Sequence, residues 1–142
     1  MTTMKAIPRG LLVFVLAATL GGCMGTIAHY NPIAYQNATS LKVECLAVIA
    51  KASDPYDSHK AEAEQVQADL DKAYEFAKGL PKNQAVTEQW KIMRDPEGKS
   101  AAGQLTLWKA QKTMSVDSIK EVSKKISEHF DQIITLEGAK IQ

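Results

Sequence analysis

Apolar residues recur along most of this chain at intervals of three and four, the spacing that lines one face of an α-helix. From Ala38 the series runs through Leu41, Cys45, Val48 and Ala52, with Leu46 and Ile49 widening it. Asn31 before Pro32 supplies its start: a capping side chain, then the one residue whose missing N–H costs nothing in a first turn. A second series, Val66, Leu70, Ala73, Ala77 and Leu80 flanked by Tyr74, predicts a helix from Asp57 or Ser58 to Lys78. There Gly79 is placed to take a left-handed cap, and Pro81 forbids continuation. A shorter helix from Asn83 carries Ala85, Val86, Trp90 and Met93, and "RDPEG" closes it as a turn with Pro96 in the favoured second position. "SAAGQLTLWKAQKT" reads as a fourth helix, weakened by Gly103, since glycine costs about 1 kcal/mol relative to alanine there. Ser115 then caps the longest helix, Val116 to about Glu137, with the stripe Ile119, Val122, Ile126, Phe130 and Ile133 and with Ile134 alongside.

No stretch alternates with period two for long enough to build a sheet. Single apolar stripes must bury against one another. The pattern therefore predicts an all-α fold, a compact bundle of four to five helices occupying residues 32–142.

One segment follows a different pattern. Lys5 and Arg9 precede an apolar run from Leu11 to Leu20 that has no polar face. A helix needs roughly 20 apolar residues to cross a bilayer, and this run is about half that, the length of the hydrophobic part of a secretory signal. It ends in Leu20-Gly21-Gly22-Cys23. That ending resembles the lipobox of bacterial lipoproteins: an aliphatic residue three before a cysteine, then small residues, then the thiol. Gly21 departs from the more usual alanine or serine.

The resemblance implies that residues 1–22 are a signal peptide, cut between Gly22 and Cys23. It also implies a diacylglyceryl thioether on Cys23 and, over residues 23–31, an acylated cysteine and a tether. Two or more acyl chains, at about 0.8 kcal/mol per buried methylene, hold a protein stably on a membrane. Met24 stands where an aspartate would favour the inner membrane, so the same resemblance implies the outer membrane, facing the periplasm. Eight residues, Met24 to Asn31, separate the cysteine from Pro32. Fully extended they span at most about 26–29 Å, so the domain and its partners are expected close to the bilayer. "YQNATSLKVECLAVIAKA" and "HFDQIITLEGAKI" resemble the opening and closing helices of a family of short all-helical bacterial lipoproteins. Those are patterns of helix packing, so they imply a fold and an address and no active site.

Charge narrows the partners. The chain has 17 Lys and Arg against 16 Asp and Glu; removal of the first 22 residues leaves 120, with 15 bases against 16 acids. No strong field results, which disfavours both nucleic acid and polybasic lipid recognition. Asp54 to Lys78 holds seven acids and three lysines, and Lys82 to Lys112 six bases and three acids, so these two stretches are expected side by side. With Cys23 acylated, Cys45 has no partner within the chain. Its place on an apolar stripe makes it a buried thiol, the alternative being a disulfide between two chains.

Candidate chemistry is sparse. "EGKS", Glu97 to Ser100, has the end of a phosphate-binding loop, but Met93 stands where that motif needs its first glycine, and a turn before a Ser100 cap explains it. His29, His59 and His129 are scattered, and His59-x-x-Glu62 occurs once and in reverse order for a di-iron bundle. Asp54 and Asp57 flank Pro55 without the ligand alternation of a calcium loop. No metal, cofactor or catalytic set is therefore expected. Trp90 and Trp108 fall in the central helices, where stripes are short. Core packing is the first expectation for both; a surface for a partner or ligand, if there is one, is expected there. The function these features point to is that of a non-enzymatic, membrane-anchored lipoprotein acting by protein–protein interaction with a membrane-proximal partner. The alternative is a helical bundle that binds a small molecule or lipid in the periplasm.

Overall fold

The computed structural model describes residues 27–140; the apolar leader, with Gly22 and Cys23, lies outside them. Five helices follow in order: α1 (Pro32–Ile49), α2 (Lys60–Gly79), α3 (Gln84–Arg94), α4 (Ala101–Gln111) and α5 (Val116–Gly138), with a 3₁₀ turn, Tyr56–Ser58, ahead of α2. Among the described residues there is no strand, and the fold is an all-α bundle.

The caps act where the sequence puts two of them. Asn31 Oδ1 accepts the N–H groups of Ile33 and Ala34 at 2.9 and 3.2 Å, and Ser115 Oγ accepts that of Ser118 at 3.2 Å. Each satisfies donors that an α-helix leaves without internal partners. The Asp95–Gly98 turn closes through Gly98 N–H to Asp95 O at 3.1 Å. Asp95 Oδ1 tightens it by accepting from Glu97 N–H at 3.0 Å.

Helices α1, α2, α3 and α5 form a ring in which each packs on its two neighbours. Lys51 of the α1–α2 connection pairs with Glu62, and Asn37 lies across from Phe76, so α1 and α2 run antiparallel. Tyr35 beside Gly138 and Lys42 bonded to Asp131 at 2.6 Å set α1 antiparallel to α5. Arg94 reaches Asp71 at 2.8 Å and Glu75 at 3.8 Å, so the acidic and basic stretches do lie side by side, on α2 and α3. Exposed pairs of this kind contribute only about 0–1 kcal/mol each.

Burial supplies the rest. Leu41, Cys45, Val48 and Ile49 of α1, Val66 and Leu70 of α2, Val86, Trp90 and Met93 of α3, and Ile126, Phe130 and Ile133 of α5 are all buried. Trp90 meets Phe130 edge-on, centroids 6.0 Å apart and planes at 78°, an arrangement that adds about 0.5–1.5 kcal/mol to area burial. Burial also pushes the Cys45 thiol up to about 12, which keeps it protonated and unreactive.

Four local expectations are corrected. Helix α2 begins at Lys60, because the 3₁₀ turn takes up residues 56–58. Gly79 closes α2 without a left-handed conformation; Leu80 turns extended (φ −83°, ψ 130°), as a residue before proline does, and Lys82 adopts φ 60° instead. Ala85 is exposed, one position off the face of Val86, Trp90 and Met93. Ser100 sits at the cap position of α4 but makes no side-chain cap bond.

Gly103 weakens α4 in isolation and is indispensable in the fold. A Cβ there would lie 1.8 Å from Gly98 O and 2.6 Å from Gly98 C, because the Asp95–Gly98 turn folds back onto the first turn of α4. Backbone carbonyls cannot swing aside as a flexible side chain can. Gly103→Ala, which gains about 1 kcal/mol of helix propensity in a free helix, should instead destabilise this domain by about 1–3 kcal/mol. A urea denaturation midpoint at or above wild type would contradict that packing.

Candidate functional site

The two ends of the bundle differ, and the polar chemistry is divided between them. At the N-terminal pole the chain entering α1, the α2–α3 turn and the end of α5 meet. At the opposite pole the α1–α2 connection, α4 and the start of α5 meet.

Trp108 organises the opposite pole. Its indole is buried, its Nε1–H donates to Asp54 O at 3.0 Å, and Tyr56 packs edge-on against it with centroids 5.3 Å apart. Two backbone bonds lace the connections together, Tyr56 N–H to Lys112 O at 2.9 Å and Met114 N–H to Ala52 O at 2.7 Å. Trp90 is equally buried. Neither tryptophan presents a surface, because α4 folds across the end of the ring and the apolar faces that seemed short in sequence close on one another.

A hollow lies over the Tyr56 that packs on Trp108, and neither tryptophan lines it. About 340 Å³ opens between α2 and α4 over Tyr56, Ala63, Gln67, Pro96, Leu105 and Lys109. A second hollow, about 500 Å³, shares Gln67 and Pro96 and extends past Asp71, Tyr74 and Arg94. Together they form a groove along α2. Its walls carry cation–aromatic pairs, the Arg94 guanidinium 4.4 Å from the Tyr74 ring centroid and Lys109 Nζ 6.0 Å from that of Tyr56. A groove with aromatic floor, arginine and mixed charge suits a polypeptide segment better than a small apolar ligand.

The histidines take separate positions. His59 precedes α2, with Nε2 3.0 Å from Asp54 Oδ2 and Nδ1 3.4 Å from Glu62 Oε1. The bond to Asp54, aided by Glu62 and opposed by desolvation, raises the affinity of His59 for its proton. Glu62 is held low by Lys51 first and by His59 second. His129 Nδ1 lies 2.8 Å from Ser100 Oγ, which also contacts Met93 Sδ at 3.0 Å. This is why Ser100 does not cap its helix: its hydroxyl ties α4 to α5. A serine beside a histidine has the makings of a nucleophile and base, but Ser100 is only 1 % exposed, so no substrate reaches it. His29 is exposed in the chain before α1. Among the described residues no group of three or more His, Cys, Asp or Glu converges as metal ligands would.

The N-terminal pole holds a network that helical periodicity contains but that a search for catalytic motifs passes over. Glu137 continues the spacing of Ile126, Phe130 and Ile133, so a carboxylate occupies the core stripe of α5, and it is fully buried. Lys140 Nζ reaches Glu137 Oε2 at 2.8 Å and Asn83 Oδ1 at 2.6 Å; Asn83 Nδ2 donates to Ala77 O at 2.9 Å. Glu137 Oε1 is buried without a partner among the described residues. The network locks the end of α5 to the α2–α3 turn. On the same turn, Lys82 O accepts Ala28 N–H at 3.1 Å, which pins the chain ahead of α1.

No helix among the described residues is long and apolar enough to cross a membrane. Comparison of the chain with family models, with curated proteins and with solved structures finds no match in any of the three.

Two outcomes follow from these geometries. Lys140→Met leaves a buried carboxylate unpaired and should cost about 3–5 kcal/mol, whereas Glu137→Leu with Lys140→Met should recover much of that, since apolar replacement of a whole buried pair is often neutral. Urea denaturation of the two variants checks it, and equal losses would show that the pair is not coupled. His59, with its proton held more tightly folded than unfolded, stabilises the domain below about pH 6.5 and loses that contribution as pH rises through its folded value. The denaturation midpoint should therefore fall on raising the pH through that window, and His59→Gln should flatten the slope. An unchanged slope would rule out the Asp54 contact as its source.

Proposed function

We propose that this chain is a non-enzymatic lipoprotein, anchored through an acylated Cys23 and acting by protein–protein interaction at the bacterial outer membrane from its periplasmic side. The observation that carries the reading is the sequence Leu20-Gly21-Gly22-Cys23, set directly ahead of a helical domain whose first described residues are already fastened to it. The partner is a membrane protein or another lipoprotein of the same leaflet. Its segment lies in the groove along α2, beside Tyr56, Gln67, Tyr74 and Arg94. The short reach of the chain supports a membrane-proximal partner, since a tether this brief gives high effective concentration only to what shares the surface.

The volume of the hollow over Tyr56, about 340 Å³, also falls within the range of small-molecule sites. It favours, as a second reading, a bundle that binds a small molecule or lipid; a ligand retained through purification and seen by native mass spectrometry would support that reading instead.

The anchor is tested by Cys23→Ser, which should abolish incorporation of labelled palmitate; continued labelling would sink it. The groove is tested by a photo-crosslinking amino acid at Gln67 or Thr106 in living cells. Adducts should be dominated by membrane proteins and lipoproteins. A predominance of freely diffusing periplasmic proteins, unaffected by a long glycine-serine insertion after Cys23, would overturn the membrane-proximal partner.

A further inference from the structure

The pinning of Ala28 shortens the leash and fixes its point of departure. Ala28 is 7 % exposed and bonded through its N–H to Lys82 O. Between Cys23 and that fastening lie only Met24 to Ile27, four residues, whose fully extended length is at most about 14 Å. Helix α5, with 23 residues, is about 34 Å long. A leash shorter than half the bundle cannot serve both poles.

The surface at the fastened pole is unlike the other. Ile27, Tyr30 and Ile33 are 66 %, 38 % and 55 % exposed within seven residues of chain. Beside them are Lys78 in the last turn of α2 and Lys82 in the following turn, both exposed; Lys82 pairs with no carboxylate among the described residues. The stretches that form this pole, residues 27–37, 78–85 and 134–140, contain one acid, Glu137, and it is buried beneath the surface against Lys140. Glu75, one turn further in on α2, is engaged with Lys78 at 3.5 Å. Apolar side chains are exposed at the opposite pole too, Leu107 and Val116, but there they stand among charges of both signs, exposed Asp54, Asp57 and Asp117 with exposed Lys60, Lys109 and Lys112. Carboxylates at that end would be repelled by anionic headgroups.

We propose that the N-terminal pole is a lipid-docking face: Ile27, Tyr30 and Ile33 enter the headgroup region while Lys78 and Lys82 meet lipid phosphates, so that the bundle stands on the bilayer with the opposite pole uppermost. The inference rests on the acylation of Cys23. Lysines within a Debye length of the surface, about 8 Å at physiological salt, each gain from its negative potential. Apolar and aromatic side chains at headgroup depth gain from burial there. The acyl chains hold the protein; this face decides how it stands.

The test uses the acylated full chain reconstituted in vesicles of phosphatidylethanolamine and phosphatidylglycerol. An environment-sensitive fluorophore is placed in turn through Ile33→Cys, Lys78→Cys and Lys60→Cys, the last two lying at opposite ends of one helix; buried Cys45 stays unlabelled in the folded protein. Labels at positions 33 and 78 should show blue-shifted emission and quenching by nitroxide-bearing lipid, and the label at 60 neither. Lys78→Glu with Lys82→Glu should remove the shift at position 33 while leaving the protein in the vesicle fraction. Mass spectrometry of the N-terminal peptide separates the two ways of failing. Absence of the diacylglyceryl group overturns anchor and face together. An acylated protein quenched equally at 60 and 78, or at neither, overturns the face alone. So does a signal at position 33 that grows with protein-to-lipid ratio, the mark of a second copy covering the pole.

Discussion

The closure of this bundle depends on α4 lying close enough across one end to bury Trp108. Four helices make the ring, but a ring of stripes is open at its ends, and an open end exposes apolar surface and leaves helix termini without partners. Helix α4 shuts one end only because Gly103 lets the backbone of the Asp95–Gly98 turn come within contact of it. The indole then finds Tyr56 on its edge and Asp54 O for its N–H. Through those contacts the α1–α2 connection is drawn over, and the two connections bond to each other. A residue that is poor for the helix is thus necessary for the fold, since packing outweighs propensity wherever the two disagree.

The opposite solution closes the other end. There the seal is a buried ion pair, and Glu137, Lys140 and Asn83 replace what hydrophobic residues might fill. Such pairs rarely add stability over apolar side chains of the same size, and their use is in fixing one arrangement among several. Here the arrangement fixed is the register of α5 against the α2–α3 turn, and that turn is also where Ala28 is fastened. The polar network therefore bears on how the N-terminal chain leaves the domain.

The helices, their order and their buried faces were legible in the sequence because each carries one stripe at helical spacing. Leu41, Cys45 and Val48, or Ile126, Phe130 and Ile133, need no tertiary information to be read. What escaped depended on distance through space. Ser100 has the sequence of a cap and becomes a tie to His129. Gly79 has the sequence of a left-handed cap, but Pro81 dictates the conformation of Leu80 and moves the left-handed turn to Lys82. Glu137 was read only as the end of its helix; its partner Lys140 lies past that end, and the Asn83 that holds Lys140 sits in the α2–α3 turn. Trp90 and Trp108 were readable as core residues; that a groove would form between α2 and α4, over the Tyr56 that packs on Trp108, required knowing that α4 crosses the bundle.

Division of labour between the poles has a geometric consequence for any partner. On the proposed orientation α2 rises from the bilayer, and the groove runs beside it from Tyr74 up to Ala63. Ala63 lies 15 residues from Lys78, about 22 Å higher along the helix. A segment that fits the groove must therefore belong to a protein projecting about that far from the membrane. Peptides lying in the headgroups would miss it. The acyl anchor and the lysine face would together hold the groove at one height and one tilt, sparing a partner the orientational search that ordinarily slows docking. Specificity in such a system comes from height as well as from side chains. Moderate contacts at Tyr56, Tyr74 and Arg94 can suffice, because geometry has already excluded most competitors.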